Sequence, residues 1–272
     1  MNAILIRGGG DLASGIALRL SRAGLAVIIA ELAQPLAVRR TVSFAEAVYE
    51  GSITVEGITA RRADPAGAAA LLAAGEIPVL IDPDLAADYP AAGIHVRARV
   101  DARMMKAPQP PLAPDAPFTV GLGPGFVPGL NCHAVVETKR GHTLGRVYRL
   151  QEALADTGLP DGDPARVLYA PETGILAARA QIGETLARGQ LIAEIQPAAG
   201  GSASPVRAPF DGILRGLVRP GLRVRAGMKI GDVDARGDPA ACRLVSDKAL
   251  ALGGGVLEAL LTRPDLRARL WN

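Results

Sequence analysis

The sequence predicts an α/β protein: an open, mostly parallel sheet over residues 1–160, a tandem-repeat β module over 161–238, and a helical segment over 239–272 that packs back on the first domain. Three observations carry this expectation. Short apolar runs alternate with helix-spaced segments through the first half, glycine-rich or charged residues follow those runs, and "APETGIL" at 170–176 returns as "APFDGIL" at 208–214. Strands alternating with helices are the pattern of a parallel sheet with crossover helices. In such sheets ligands bind beyond the carboxyl ends of the strands.

Ala3–Ile6 is an uninterrupted apolar run, as a buried parallel strand should be. Leu12, Ile16 and Leu20 then recur every four residues, and Gly24 supplies a helix stop. Ala26–Ala30 is a second buried run. Ser43 and Glu46 have the spacing of a capping box, opening a short helix that Gly51 ends. Ile53–Val55 and Ile58–Ala60 flank Glu56-Gly57 as a hairpin would. Asp64-Pro65 reads as an N-cap followed by proline at the first helical position, with Gly75 closing an alanine-rich helix. Val79–Ile81, His95–Val100, Phe118–Val120 and Ala134–Val136 are further strand candidates.

In the second half, a shift of 38 residues carries Gly183 onto Gly221, Gly189 onto Gly227 and Ile195 onto Val233 without a gap. Two copies of one supersecondary unit packing together explain such a period. The pattern resembles the halves of a biotinyl/lipoyl-type β-sandwich. The turn that would present a carrier lysine, "QPAAGGSASP", holds none, so the module is expected to be structural or a docking element. "SDKALALGGGVLEALL" reads as helical on either side of Gly253–Gly255, and because no strand leads into the triple glycine, a helix break packing closely against the first domain is expected over a second phosphate loop.

Composition narrows the function classes. The formal charge is +3 and aromatic residues make up only 3% of the chain, so base stacking is poorly served and nucleic acid is not an expected partner. No apolar stretch is long enough to span a membrane, and Arg7 and Asp11 interrupt any signal-peptide core. Cys132 and Cys242 are too few for a disulfide scaffold. A cytoplasmic protein is expected.

The candidate site residues lie where strands are expected to end. Gly8, Gly10 and Ala13 match G-x-G-x-x-A between a strand and a helix, a Rossmann-like arrangement in which backbone N–H groups cradle a phosphate. Gly9 lies within that loop. Asp11 at its mouth caps the helix or meets a cation or polar ligand head. Glu31 stands about 20 residues on, where an acid can accept from ribose hydroxyls. Arg39 and Arg40 are phosphate-contact candidates, against the alternative of a solvated pair. Asp101 and Arg103 follow a strand and either pair with each other or bind ligand. Gly121, Gly123 and Gly125 in "GLGPGF" suit a loop wrapping a ligand closely. Cys132, His133, Glu137 and His142 form the densest polar cluster and are the candidates for catalysis. Neighbouring strand residues point to opposite faces, so Cys132 and His133 do not reach one ion without a bend, and no metal site is expected.

Seven stretches, "IRGGGDLASG", "PLAVRRTVSFAEAVYEG", "TVEG", "VDARM", "GLGPGF", "HAVVETKRGHTLGR" and "SDKALALGGGVLEA", in that order resemble the selenium-dependent molybdenum hydroxylase system protein family. They are similar, more distantly, to the xanthine dehydrogenase accessory proteins. The resemblance implies a maturation protein for a molybdenum hydroxylase that binds a pterin-dinucleotide molybdenum cofactor or a precursor. Gly8–Asp11 would take its phosphates, Glu31 a ribose, and 121–142 the pterin or metal end, where Cys132 would handle sulfur or selenium. The repeat module would dock the apoenzyme. The alternatives are an NAD(P)-dependent oxidoreductase using the same loop and a non-enzymatic scaffold. Enzyme class and homo-oligomer formation stay open.

Overall fold

In the computed structural model residues 1–155, 163–198 and 200–271 are described. The chain divides into two units. The first takes Met1–Pro35, Ser43–Thr157 and Val245–Asn272, the second Leu36–Val42 and Gly158–Leu244. The domain boundary expected at 160/161, and Ala199 within the inter-copy turn, lie outside the described residues.

Unit 1 is built on a nine-stranded sheet. Its strands are β1 (Asn2–Arg7), β2 (Val27–Glu31), β3 (Ser52–Val55), β4 (Ile58–Arg62), β5 (Ile77–Ile81), β6 (His95–Asp101), β7 (Phe118–Leu122), β8 (Ala134–Val136) and β9 (Val147–Tyr148). Their order is β3-β4-β5-β2-β1-β6-β7-β8-β9. The pairs from β4 to β8 are parallel, while β3–β4 and β8–β9 are antiparallel. Glu56 and Gly57 turn the β3–β4 hairpin with φ of 45° and 85°, the doubly left-handed turn that matches strand twist. Among the described residues, five α-helices accompany the sheet: α1 (Asp11–Arg22), α2 (Ala47–Glu50), α3 (Pro65–Ala73), α4 (Asp247–Leu261) and α5 (Pro264–Arg267). Asp64 caps α3 by accepting from Gly67 N–H. Ala68 and Leu72 of α3 pack with Leu5, Ala30 and Leu80, which line one sheet face.

The expected capping box at Ser43 and Glu46 does not form. Ser43 precedes a 3-10 turn and makes no side-chain cap bond. The N–H groups bond elsewhere: Phe44 N–H donates to Ser14 Oγ at 2.7 Å, Ala45 N–H to Gly9 O at 2.8 Å, and Glu46 N–H, the donor that the box would use, to Ser43 O at 3.0 Å.

The helix break expected at the triple glycine is corrected: α4 runs unbroken through it, and two of the three glycines permit close approach by neighbouring elements. A Cβ at Gly255 would stand 2.3 Å from Gly145 O, and one at Gly253 2.7 Å from the Arg19 stem, whereas one at Gly254 meets nothing. Gly15 of α1 likewise lets α4 in, since its Cβ would lie 2.5 Å from that of Ala249. Adjacent substitutions should therefore act with opposite signs. Gly254→Ala should stabilise by about 0.5–1 kcal/mol through helix propensity, while Gly255→Ala should destabilise by about 1–3 kcal/mol. Urea midpoints of the two variants check this.

Unit 2 holds β10 (Val167–Tyr169), β11 (Gly174–Ala178), β12 (Thr185–Leu186), β13 (Leu191–Pro197), β14 (Ser204–Arg207), β15 (Gly212–Leu217), β16 (Arg223–Val224) and β17 (Lys229–Asp234). They form two four-stranded antiparallel sheets, in the orders β10-β17-β15-β12 and β14-β13-β11-β16. The 38-residue shift maps β10–β13 onto β14–β17, so each sheet takes two strands from each copy. Equivalent contacts recur: Gly183 N–H donates to Leu214 O and Gly221 N–H to Leu176 O, both at 2.8 Å. Leu176, Ile192, Ile195, Leu214, Ile230 and Val233 are the buried center of this unit.

The fold expectation is corrected on both counts. The sheet is mixed, with antiparallel pairs at both edges, and not simply the mostly parallel Rossmann-like sheet expected. The repeat gives two antiparallel sheets that exchange strands between copies, and the biotinyl/lipoyl-type sandwich is withdrawn. Among the described residues, no helix is long and apolar enough to cross a membrane.

Candidate functional site

Beyond Arg7 the chain turns through Gly8, whose φ is +94°, and Gly10 precedes α1. The loop is largely satisfied by the protein itself. Gly8 N–H donates to Ala30 O at 2.8 Å and Gly9 N–H to Glu31 Oε2 at 2.6 Å. Gly9 O accepts from Ala45 N–H and from Ser14 Oγ. Glu31 is buried, and its second oxygen accepts from Leu32 N–H at 2.7 Å. Burial pushes its carboxyl up, while the two backbone donors hold it back. Glu31 thus fastens the glycine loop, and its oxygens are not presented to a ribose. Only Gly10 faces open space, with Asp11 placing a negative charge on the first turn of α1, where the helix dipole favours one.

The second glycine loop is also filled from within. A Cβ at Gly121 would lie 2.1 Å from Phe126 Cγ, one at Gly123 2.5 Å from Thr138 Oγ1, and one at Gly125 2.3 Å from Ala107 O. These glycines admit a ring, a hydroxyl and a backbone carbonyl.

The catalytic candidates do not assemble. Burial pushes the Cys132 thiol up to about 12, which removes the thiolate needed for nucleophilic or sulfur chemistry. His133 Nδ1 accepts from Thr119 N–H at 2.9 Å, its ring tilts against Phe118, and burial with the charge of Arg263 holds its pKa down. Glu137 is fully buried and accepts from Lys139 and Leu154 N–H, each at 2.8 Å. The His142 side chain is exposed. Among the described residues, no group of three or more His, Cys, Asp or Glu side chains is placed to hold a metal ion.

Arg39 and Arg40 belong to unit 2. Arg39 donates to Ala241 O at 3.0 Å and Leu244 O at 2.8 Å, and Arg40 to Leu217 O at 2.8 Å. They tie the Leu36–Val42 segment to that unit's carbonyls.

What the structure does bring together is Asp101 and Arg103 with two residues that sequence reasoning missed, Arg7 and Arg99. Arg7 pairs with Asp101 across β1–β6, and Arg99 stands opposite Leu5, two residues earlier. All three therefore share a sheet face. Arg103 grips Asp101 with Nε on Oδ1 at 2.9 Å and Nη2 on Oδ2 at 2.5 Å. Arg7 Nη1 lies 4.0 Å from the same carboxylate, and its Nη2 donates to Pro83 O at 2.6 Å. The Nε atoms of Arg7 and Arg99 are buried without a hydrogen-bond partner. Burial, then the charges of Arg103 and Arg99, push the Arg7 guanidinium below its ordinary value against the pull of Asp101 and Asp84. The stem of Arg103 lies over Gly8, whose Cβ would be 3.5 Å from Arg103 Cγ. The alternation in "HVRARVD" is the sequence signal that could have found Arg99.

No family model matches the chain. An Escherichia coli (strain K12) protein described as uncharacterized protein YqeB is 44% identical over 263 residues, which is 95% of this chain and 47% of that protein. The chain thus spans about half the length of the curated relative it matches. Solved structures with some likeness include the apo ectoine utilization protein EutE (DoeB) from Ruegeria pomeroyi, at 13% identity and a TM-score of 0.29, covering 85% of this chain and 86% of that one. An aspartoacylase family protein from Mesorhizobium loti has 14% identity and a TM-score of 0.29, covering 86% and 85%. A succinylglutamate desuccinylase from Silicibacter sp. TM1040 has 14% identity and a TM-score of 0.27, covering 85% and 84%. TM-scores this low transfer neither fold nor activity to this chain.

These findings correct the family expectation. No family model matches the chain, and the 44% identical relative is described as uncharacterized, so neither comparison names a molybdenum hydroxylase maturation or xanthine dehydrogenase accessory protein, and that expectation is withdrawn. With that resemblance go the pterin-dinucleotide molybdenum cofactor and the handling of selenium. The NAD(P) oxidoreductase and scaffold alternatives are set aside with them.

Proposed function

We propose that unit 1 binds a small anionic molecule at the ends of β1 and β6. One observation carries this reading: Arg7, Arg99 and Arg103 gather at the ends of two adjacent strands, and two of them keep buried N–H donors without acceptors. Buried polar groups in folded proteins normally find partners, and an orphan donor asks for a water, an ion or a ligand. The position supports the reading. The chain passes from β1 to β2 on one side and returns with β6 on the other, which is where open α/β sheets form a ligand crevice. Two buried cysteines kept as free thiols fit a reducing cytoplasm as the setting.

Thermal unfolding at constant ionic strength, with phosphate, sulfate, acetate and succinate compared against chloride, tests the proposal. At least one anion should raise the midpoint, as any ligand selective for the native state does. The rise should vanish in Arg7→Gln. No shift with any anion, or an equal shift in that variant, would sink the assignment.

A further inference from the structure

Granting that anion reading, the rim of the crevice adds the second half of the ligand. The strands stand in the order β5-β2-β1-β6, with Arg7 ending β1. On either side of Arg7 the chain exposes large apolar side chains. Ile81 ends β5, Leu32 follows β2, and Met105 lies four residues past the end of β6; they are 40%, 49% and 51% exposed. Strand pairing and one hydrogen bond tie them to the guanidinium cluster. Ala30 stands opposite Arg7 and Glu31 opposite Ile81, while Pro83 O accepts from Arg7 Nη2 at 2.6 Å. Single exposed apolar residues are ordinary on a protein surface. Three at the ends of neighbouring strands, bordering guanidinium groups, have the make-up of a ligand crevice.

Met105 is held outward by its loop. Met104 and Lys106, on either side of it, have φ of 57° and 60°, left-handed conformations that side-chain-bearing residues keep only where their surroundings impose them. Both ends of the loop are pinned. Arg103 grips Asp101. Further on, Ala107 O fills the notch at Gly125, Gln109 N–H donates to Gly125 O at 3.2 Å, and Asn131 Nδ2 donates to Gln109 O at 3.0 Å. Burying an apolar side chain is favourable, yet this one stays at the rim. We infer that the ligand is an amphiphilic anion: its charged group meets Arg7 and Arg99, and a hydrocarbon chain attached to it lies on Leu32, Ile81 and Met105. A carboxylate or a phosphoryl group serves equally at the charged end, and the rim selects the attached chain.

Calorimetric titration of the full chain at constant ionic strength tests the inference with two homologous series, acetate, butyrate and hexanoate, and methyl, butyl and hexyl phosphate. In a series that binds, affinity should rise about twofold per added methylene, as a half-buried chain gains. Leu32→Ser/Met105→Ser should flatten that rise, whereas Arg99→Gln should weaken every member by a similar factor and keep it. Circular dichroism checks that both variants fold. A flat series in the wild-type chain, or a rise that the serine variant keeps, overturns the inference and leaves anion binding intact. Velocity sedimentation reads the other occupant: a wild-type dimer that the serine variant dissolves gives the rim to a second copy of the chain and also overturns the inference. Absence of binding by both series overturns the reading beneath it as well.

Discussion

Replacing Gly121 with alanine should destabilise the protein by about 3 kcal/mol or more, read as a lowered urea midpoint with an unchanged slope. The new methyl would stand 2.1 Å from Phe126 Cγ, 2.4 Å from Cδ1 and 2.6 Å from Cδ2, well inside contact distance. Phe126 is buried and packs with Cys132 and Val135, so the ring has no empty space to enter. Relief requires moving either the ring or the end of β7. Trimming the ring at the same time, in a Gly121→Ala/Phe126→Leu variant, should recover part of the loss, because the two sites share one space. A double variant that is no better than the sum of the singles would show that the clash is not the cause.

Glu31→Ala should be nearly as damaging, at about 2–4 kcal/mol. The N–H groups of Gly9 and Leu32 would lose the carboxylate that satisfies them, and unmade bonds at buried donors carry the full desolvation penalty. Glu31→Gln should retain part of the stability, since one amide oxygen can serve only one of the two donors. The pH dependence has a definite sign. Burial raises the folded-state value above the ordinary 4.5, so the folded protein holds this proton more tightly than the unfolded chain does. The stability contributed in this way is complete below the ordinary carboxyl range and is lost as pH rises through the folded value. Glu31→Gln does not titrate. The margin of wild type over that variant should therefore shrink as pH rises above the ordinary carboxyl range, and a margin that grows with pH would contradict the account.

Local features were the most legible in the sequence. Asp64-Pro65 caps a helix because both residues act on their own turn, Glu56-Gly57 reverses a hairpin because the turn needs little else, and the 38-residue period survives as matched strands. What side chains do across space was not legible. The spacing of Gly8, Gly9 and Gly10 says that the backbone must come close to something, but not that the partners are Glu31, Ala45 and Ser14. "GLGPGF" marks a tight loop in the same way, yet its space is filled by Phe126, Thr138 and Ala107. Glu31 has the position expected of a ribose acceptor and is turned inward onto its own loop. Arg7 and Arg99 escaped notice because each is unremarkable within its own strand. Only the parallel pairing of β1 with β6, distant in sequence, makes them neighbours.

The exchange of strands in unit 2 bears on how such a chain arose. One copy of the repeat, taken alone, supplies β10 and β12 to one sheet and β11 and β13 to the other, and completes neither. A polypeptide carrying a single copy would leave the edges of β11 and β13 open until a second molecule supplied the missing strands. The ancestral gene product, before duplication, would then have been an obligate intertwined homodimer, and the inter-copy turn is the covalent link that made it one chain. Severing that link should yield two fragments whose repeat copies complete the two four-stranded sheets only when mixed.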